Sequence, residues 1–436
     1  MRVGIQGWGS EGDLRPLVAL AARLRVRGHD ASLVFTPVDG KDYGPLCRSL
    51  DVTLSTVPER LPVTLQDLVR DASSTDPTKL ITKVLALTFD PHVEAMYEAA
   101  LGLCEASDVV VAGPSCWTLK AASLKTKRPL AIVDYVPALV PSRLAPPAIF
   151  PRWKWLARPA WALLRVMMDA AFRAAPRRFF AAKGLPPIRH TIPDVVFSDD
   201  LNLHAASPSF WPLEADCPDI HCVCGELLMP DDAESWEPSD ALRAFLDAGE
   251  PPVLLSLGSW EHMLPDRARA LLVASAKAAR IRAIVQTKLE DVESRDGDVF
   301  VLPWAPHRRL VPMCSAVVHH GGAGTTHMAL RAGKPALVLP FILEQRMWAK
   351  RVEGVSAGRW LSFWKATPDR VAHAIRDMIA SPKLREGAER MAGSMASEDG
   401  AGVAVNCLES LISGRSPRPC KSGRPVAPAH PARRAH

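Results

Sequence analysis

The run V-V-H-H-G-G-A-G-T-T-H-M-A-L-R-A-G-K-P, residues 317–335, decides how the rest of the chain is read. An apolar strand ends at His319 and His320, a glycine-rich turn follows, and Thr325 with Thr326 open a helix. N–H groups at a helix start lack partners within the helix and lie at the positive end of its dipole. With the Thr325 hydroxyl they suit a bound diphosphate. No Gly-Lys-Ser/Thr follows the glycines, which separates this turn from the loop of nucleoside triphosphatases. A tight turn that binds nothing explains the glycines but not the paired histidines and threonines.

Around this turn, short apolar runs alternate with amphipathic stretches: Val253–Leu257, Ala283–Gln286, Val299–Leu302, Ala316–His319 and Ala336–Leu339. The same rhythm fills the N-terminal half, with Val3–Gln6, a helix from Pro16 to Arg27, then Ala31–Phe35, Val109–Ala112 and Leu130–Val133. Strand and helix in alternation imply parallel α/β sheets. Pro16 takes the favoured first helical position and Gly28 stands just past the end. At 436 residues the chain exceeds one ordinary domain. The expected architecture is two doubly wound α/β domains facing a cleft. The N-terminal domain covers 1–212, with an interruption from Pro137 to Arg189, and a Pro-, Asp- and Glu-rich connector covers 213–252. The C-terminal domain covers 253–395, a helix at 396–412 packs back towards the N-terminal domain, and 413–436 form a disordered basic tail.

Composition is that of a globular protein, 48% hydrophobic and 23% charged. The net charge of +6 resides in the tail, where Arg415, Arg418, Lys421, Arg424, Arg433 and Arg434 face no acid. The body is near neutral, which argues against nucleic acid as a partner. The nine cysteines form no C-x-x-C pair, and Cys217, Cys222 and Cys224 lack zinc-site spacing. Without a leader-like N-terminus or a long uncharged apolar run, a cytoplasmic protein is expected.

A second glycine turn, G-W-G-S-E-G-D-L-R-P at Gly7–Pro16, spells G-x-G-x-x-G. A dinucleotide site also needs an acid at the end of the next strand, and there the sequence has Thr36, with Asp39 beyond a proline. The fingerprint fails that second requirement.

H-H-G-G-A-G-T-T, followed by A-L-R-A-G-K-P and P-F-x-x-x-Q-x-x-W-A-x-R-V, resembles the donor-binding segment of the UDP-glycosyltransferase family. G-S-E-G-D-L-R-P-L-V-A-L-A-A-R-L-R-V-R-G-H is similar to the same family's first loop and helix. The branches most resembled are the sterol glucosyltransferases and the bacterial enzymes that glycosylate antibiotics and other lipophilic molecules. The resemblance implies the GT-B fold of two Rossmann-like domains, an acceptor site in the first and a nucleotide-sugar site in the second. It places Asp13 as the general base. Plant relatives use a histidine there with an aspartate partner whose place is taken by Gly113, which fits a carboxylate acting alone. For the donor it implies His320, Gly322, Gly324 and Thr325 around the diphosphate, and Ser259 closing the site. Trp304 would stack on the base, and Glu344 with Gln345 would meet sugar hydroxyls.

Met328 replaces the ribose-holding glutamate of plant enzymes, and Glu344 stands where the family usually has aspartate. Retaining relatives carry a second glutamate eight positions on, where this chain has Val352, so inversion is expected. Asp199-Asp200 reads as a solvated turn, and no metal is required if the helix start and His320 stabilise the leaving diphosphate. Residues 151–180 hold seven basic side chains and one acid, with Trp153, Trp155 and Trp161 interleaved. Such a helix lies on an anionic membrane surface, at the inner face of a membrane, or covers an apolar acceptor pocket. The expected activity is transfer of a hexose from a nucleotide sugar, UDP-glucose first, to a hydroxyl of a lipophilic acceptor. The alternatives are a TDP- or UDP-linked deoxysugar or amino sugar as donor, and a non-catalytic nucleotide-sugar-binding relative.

Overall fold

The computed structural model describes residues 1–58, 83–230 and 236–415. Two compact units emerge, one from residues 1–230 with 398–415 and the other from 236–397.

The first unit is a seven-stranded sheet of β1 (Arg2–Gly9), β2 (Asp30–Pro37), β3 (Thr53–Thr56), β4 (Val109–Ala112), β5 (Leu130–Asp134), β6 (Leu201–His204) and β7 (His221–Val223). Its order is β3-β2-β1-β4-β5-β6-β7, with every pair parallel. Both faces are covered, which is why β4 reads V-V-V-A without polar alternation. Val109 and Val111 face one core with Leu14, Leu17 and Leu24. Val110 and Ala112 face another with Met96, Tyr97, Leu119 and Phe180. The terminal helix Gly400–Ile412 completes the first core through Ala404, Val405 and Leu408. Arg23 pairs with Asp399, and Arg27 and His29 meet Glu409 at 3.1 and 2.8 Å.

The second sheet contains β8 (Val253–Ser256), β9 (Ala283–Gln286), β10 (Ser294–Asp296), β11 (Val299–Leu302), β12 (Ala316–His319), β13 (Ala336–Val338) and β14 (Gly358–Trp360). Its order is β10-β11-β9-β8-β12-β13-β14, parallel except for the β10–β11 hairpin. Leu255, Val285, Val318, Leu337 and Ile375 meet in its core.

Some sequence expectations shift. The first helix runs Glu11–Val26 rather than from Pro16, because Ser10 and Asp13 start it with reciprocal hydrogen bonds; Pro16 lies inside it. The stretch 213–252 contains β7, whose Cys222 belongs to the first core with the nearby Cys224 and Leu227, so the polar composition there conceals a strand. It also contains a helix, Asp240–Asp247. Residues 416–436 of the expected tail lie outside the described residues. The interruption between Pro137 and Arg189 holds the helices Ala157–Phe172 and Ala174–Ala182.

Candidate functional site

In each sheet the first strand sends the chain to one side and later takes a neighbour on the other: β1 between β2 and β4, β8 between β9 and β12. The carboxyl ends of such strands are where open α/β sheets place ligands. The sequence-selected residues fall at these ends, Asp13 beyond β1 and His320, Gly322 and Thr325 beyond β12.

At the end of β1, Asp13 is half-buried in the first helical turn. Its Oδ2 accepts from the Ser10 N–H at 2.9 Å and the Ser10 hydroxyl at 3.2 Å. Oδ1 receives no hydrogen bond among the described residues, which leaves it open to a proton. Burial pushes the carboxyl above its usual range, the Ser10 hydrogen bonds oppose this, and Asp39 adds to the rise. Asp39 Oδ2 in turn accepts the Glu11 N–H at 2.8 Å. Two carboxylates therefore occupy the helix start that the G-x-G-x-x-G pattern offers to a pyrophosphate, and a further anion would be repelled. Thr36 is buried and its hydroxyl donates to the Val57 carbonyl.

Two of these glycines have packing roles. A Cβ on Gly7 would meet Leu14 at 2.7 Å, and one on Gly9, at φ +138°, would meet the Asp13 Cβ at 2.7 Å; Gly12 faces open space. Gly113 is equally constrained, since a Cβ there would lie 2.9 Å from Leu17 and 3.3 Å from the Gln6 carbonyl. The aspartate partner of the plant enzymes has no room at that position.

On the second unit, the helix Ala323–Arg331 starts two residues before Thr325, with Gly322 as its N-cap and no capping side chain. Thr326 bonds back to the Gly322 carbonyl through its N–H at 3.0 Å and its hydroxyl at 2.8 Å. Thr325 is half-buried and Gly324 exposed, so the N–H groups of this turn are open to an anion. The His320 ring is wedged between glycines: a Cβ on Gly258 would lie 3.0 Å from its Cε1, and one on Gly322 would lie 2.5 Å from its Nε2. Burial lowers its pKa to about 3, with His307 adding to the effect. The imidazole is neutral at physiological pH, and its buried Nδ1 has no hydrogen-bond partner among the described residues, so the ring can offer a hydrogen bond but no charge. His319 acts differently, its Nδ1 accepting the Gly321 N–H at 3.0 Å and so holding the turn.

Trp304 follows β11 and is 41% exposed, so its ring is not committed to the core. Gln345 is buried, and its Oε1 accepts the Phe341 N–H at 2.8 Å and caps its own helix, Leu343–Gly354. That oxygen is spent on the cap, and Glu344 stands half-buried in the same turn. The Ser259 side chain lies outside the described residues. Asp200 Oδ2 accepts the Leu130 N–H at 2.9 Å and tethers β5. Among the described residues no group of three His, Cys, Asp or Glu side chains is placed to hold a metal. Sequence reading passed over Ser10, Tyr135 and Gly258, and named Asp39 and His319 without giving either a role; the S-x-x-D spacing of Ser10 and Asp13 was the one available signal.

Residues 272–411 match the C-terminal domain of the erythromycin biosynthesis protein CIII-like family. Glycosyltransferase GtfE of Amycolatopsis orientalis is 31% identical to the chain, over 96% of this chain and 99% of its own length. The chain belongs to the EryCIII-like glycosyltransferases of the GT-B type. This glycosyltransferase is also 29% identical to O-mycaminosyltylonolide 6-deoxyallosyltransferase of Streptomyces fradiae, over 95% of this chain and 99% of that one. Its fold is similar to that of the glycosyltransferase VinC, crystallised with dTDP, with a TM-score of 0.65 at 20% identity over 95% of this chain and 100% of the other. The motif resemblance thus holds on its antibiotic side, while the sterol glucosyltransferase side finds no support among these relatives.

Proposed function

We propose that this glycosyltransferase moves a sugar from a nucleoside diphosphate to a hydroxyl of a lipophilic natural product, with inversion at the anomeric carbon. The observation that carries the reading is the glycine turn after β12, where open helix N–H groups and a neutral, glycine-wedged His320 supply donors for a diphosphate. In this reading Gly322, Gly324, Thr325 and His320 hold the diphosphate, and Trp304 stacks on the base. Glu344 and the amide nitrogen of Gln345 meet sugar hydroxyls. The acceptor hydroxyl gives its proton to Asp13 Oδ1 as it attacks, and the departing diphosphate's charge is met by His320 and the helix start without a metal.

UDP-glucose is the donor suggested by the motifs. A TDP-linked deoxysugar is favoured by two relatives, one crystallised with dTDP and one named for a 6-deoxyallosyl transfer. For the acceptor, the helix Ala157–Phe172 turns Leu163, Val166 and Met167 to solvent, beside Trp153 and Trp155 at 57% and 72% exposure. This face suits a lipophilic acceptor. It suits an anionic membrane equally, and co-sedimentation with phosphatidylglycerol vesicles separates the two uses.

Thermal stabilisation by TDP and UDP, each at the same concentration, reads the donor directly. A hundredfold excess over Kd adds about 2.7 kcal/mol to stability. Stabilisation by TDP alone selects the deoxysugar reading and by UDP alone the UDP-glucose reading, while a melting temperature indifferent to both would refute the nucleotide site.

A further inference from the structure

We propose that Tyr135 is a positioning residue for Asp13, its side chain holding the first turn of the helix Glu11–Val26 against the carboxyl end of β5. The inference rests on the reading of Asp13 as the base. The Tyr135 hydroxyl donates to the Asp13 main-chain carbonyl, a contact across 122 positions of sequence. A helical carbonyl accepts the N–H four residues on and keeps a second lone pair for such a bond.

The residue beside Tyr135 is itself fixed. Asp134 Oδ1 accepts the Val136 N–H at 3.2 Å, and its Oδ2 lies 3.5 Å from His204 Nδ1. His204 in turn lies 3.0 Å from His221. The tether therefore runs from the end of β5, held in register with β6 at Asp134 and His204, to the peptide of Asp13. The Asp13 carboxylate is aimed through Ser10, whose carbonyl accepts the Asp13 N–H at 2.8 Å. Movement of this peptide displaces Oδ1, and small displacements of a reacting group are costly in rate. The titratable groups that face Asp13 are Asp39 and Tyr43 after β2, Cys116 after β4, and Tyr135 itself, with Glu11 and Arg15 on its own helix.

The test compares Tyr135→Phe, Asp13→Asn and the double variant in the full chain. The reaction is turnover of UDP-glucose and TDP-glucose with 4-methylumbelliferone as probe acceptor, and hydrogen exchange is followed alongside over 11–18. Tyr135→Phe keeps the ring and loses the tether. The expected result is kcat about tenfold lower at unchanged donor KM. The acid limb of the rate profile moves down, as water reaches the carboxyl, and exchange over 11–18 is faster while the rest of the sheet is unchanged. The double variant turns over no more slowly than Asp13→Asn. Wild-type exchange and rate in Tyr135→Phe would overturn the proposal. Full activity in Asp13→Asn would instead remove the base reading, and the exchange data would still decide whether Tyr135 holds the turn.

Discussion

In the proposed reading Asp13 serves two purposes with two oxygens, one locked into the helix cap and one left open for the acceptor's proton. Asn at this position keeps an acceptor for the Ser10 N–H and loses the base, so Asp13→Asn should fold normally and lose about 10²- to 10⁴-fold in kcat. Because burial raises this carboxyl in the folded protein, the folded state binds its proton more tightly than the unfolded chain does. The group thus opposes folding above its raised pKa, and that penalty fades as pH falls through it. Asp13→Asn should therefore raise the melting temperature at neutral pH while removing activity; a lowered one would contradict the burial argument. On the donor side, Gly322→Ala forces a methyl against the His320 imidazole and should weaken nucleotide binding at least tenfold by calorimetry. Trp304→Ala should cost about 1–3 kcal/mol of nucleotide affinity, as loss of a base–aromatic stack does. Asp13 and His320 stand out as candidates because their motifs surround them in sequence. Asp39 and Tyr135 do not, since only the folded sheet brings residues 39 and 135 to residue 13.

Among the elements, the strands that sequence reading located are buried and nearly free of polar residues, whereas the equally buried β6 and β7 are interrupted by Asn202, His204 and His221. V-V-V-A and V-F-V-L are apolar throughout, and A-I-V-Q up to its last residue, because helices or loops cover both sheet faces. The strands it missed are short: T-L-S-T (β3), L-N-L-H (β6), H-C-V (β7), S-R-D (β10) and G-R-W (β14). Those at the sheet edges pair on one side only, and polar residues there leave no run to detect. The first helix was misplaced because proline at a first helical turn is a strong signal and outweighed the S-x-x-D cap ahead of it. The cap has a measurable consequence. Ser10→Ala removes the hydroxyl that favours the Asp13 carboxylate, so the acid limb of the rate profile should move to higher pH, opposite in sign to Tyr135→Phe. A limb that stays in place would show that the Ser10 N–H alone sets the carboxyl.

At the scale of the molecule, among the described residues three histidines are held neutral by burial with the pKa lowered to about 3: His221 in the first unit and His319 and His320 in the second. In the unfolded chain each takes up a proton near pH 6.5, so stability is full above that pH and is lost as pH falls from there towards 3. Each group costs roughly 1.4 kcal/mol per pH unit within that window. Denaturant midpoints measured between pH 7 and 5 should fall steeply, and a flat profile would mean that these rings are solvated. The Gly400–Ile412 helix carries a different lesson, one about time. Its side chains finish a core whose first strand begins at Arg2, yet they are the last of the described helices to be synthesised. On the ribosome, the second unit has its whole sequence before the first has its final helix. The first sheet therefore waits with one flank of apolar surface uncovered while the whole of 236–397 emerges, and a chain stopped at 397 should be captured by chaperones rather than accumulate as a folded enzyme.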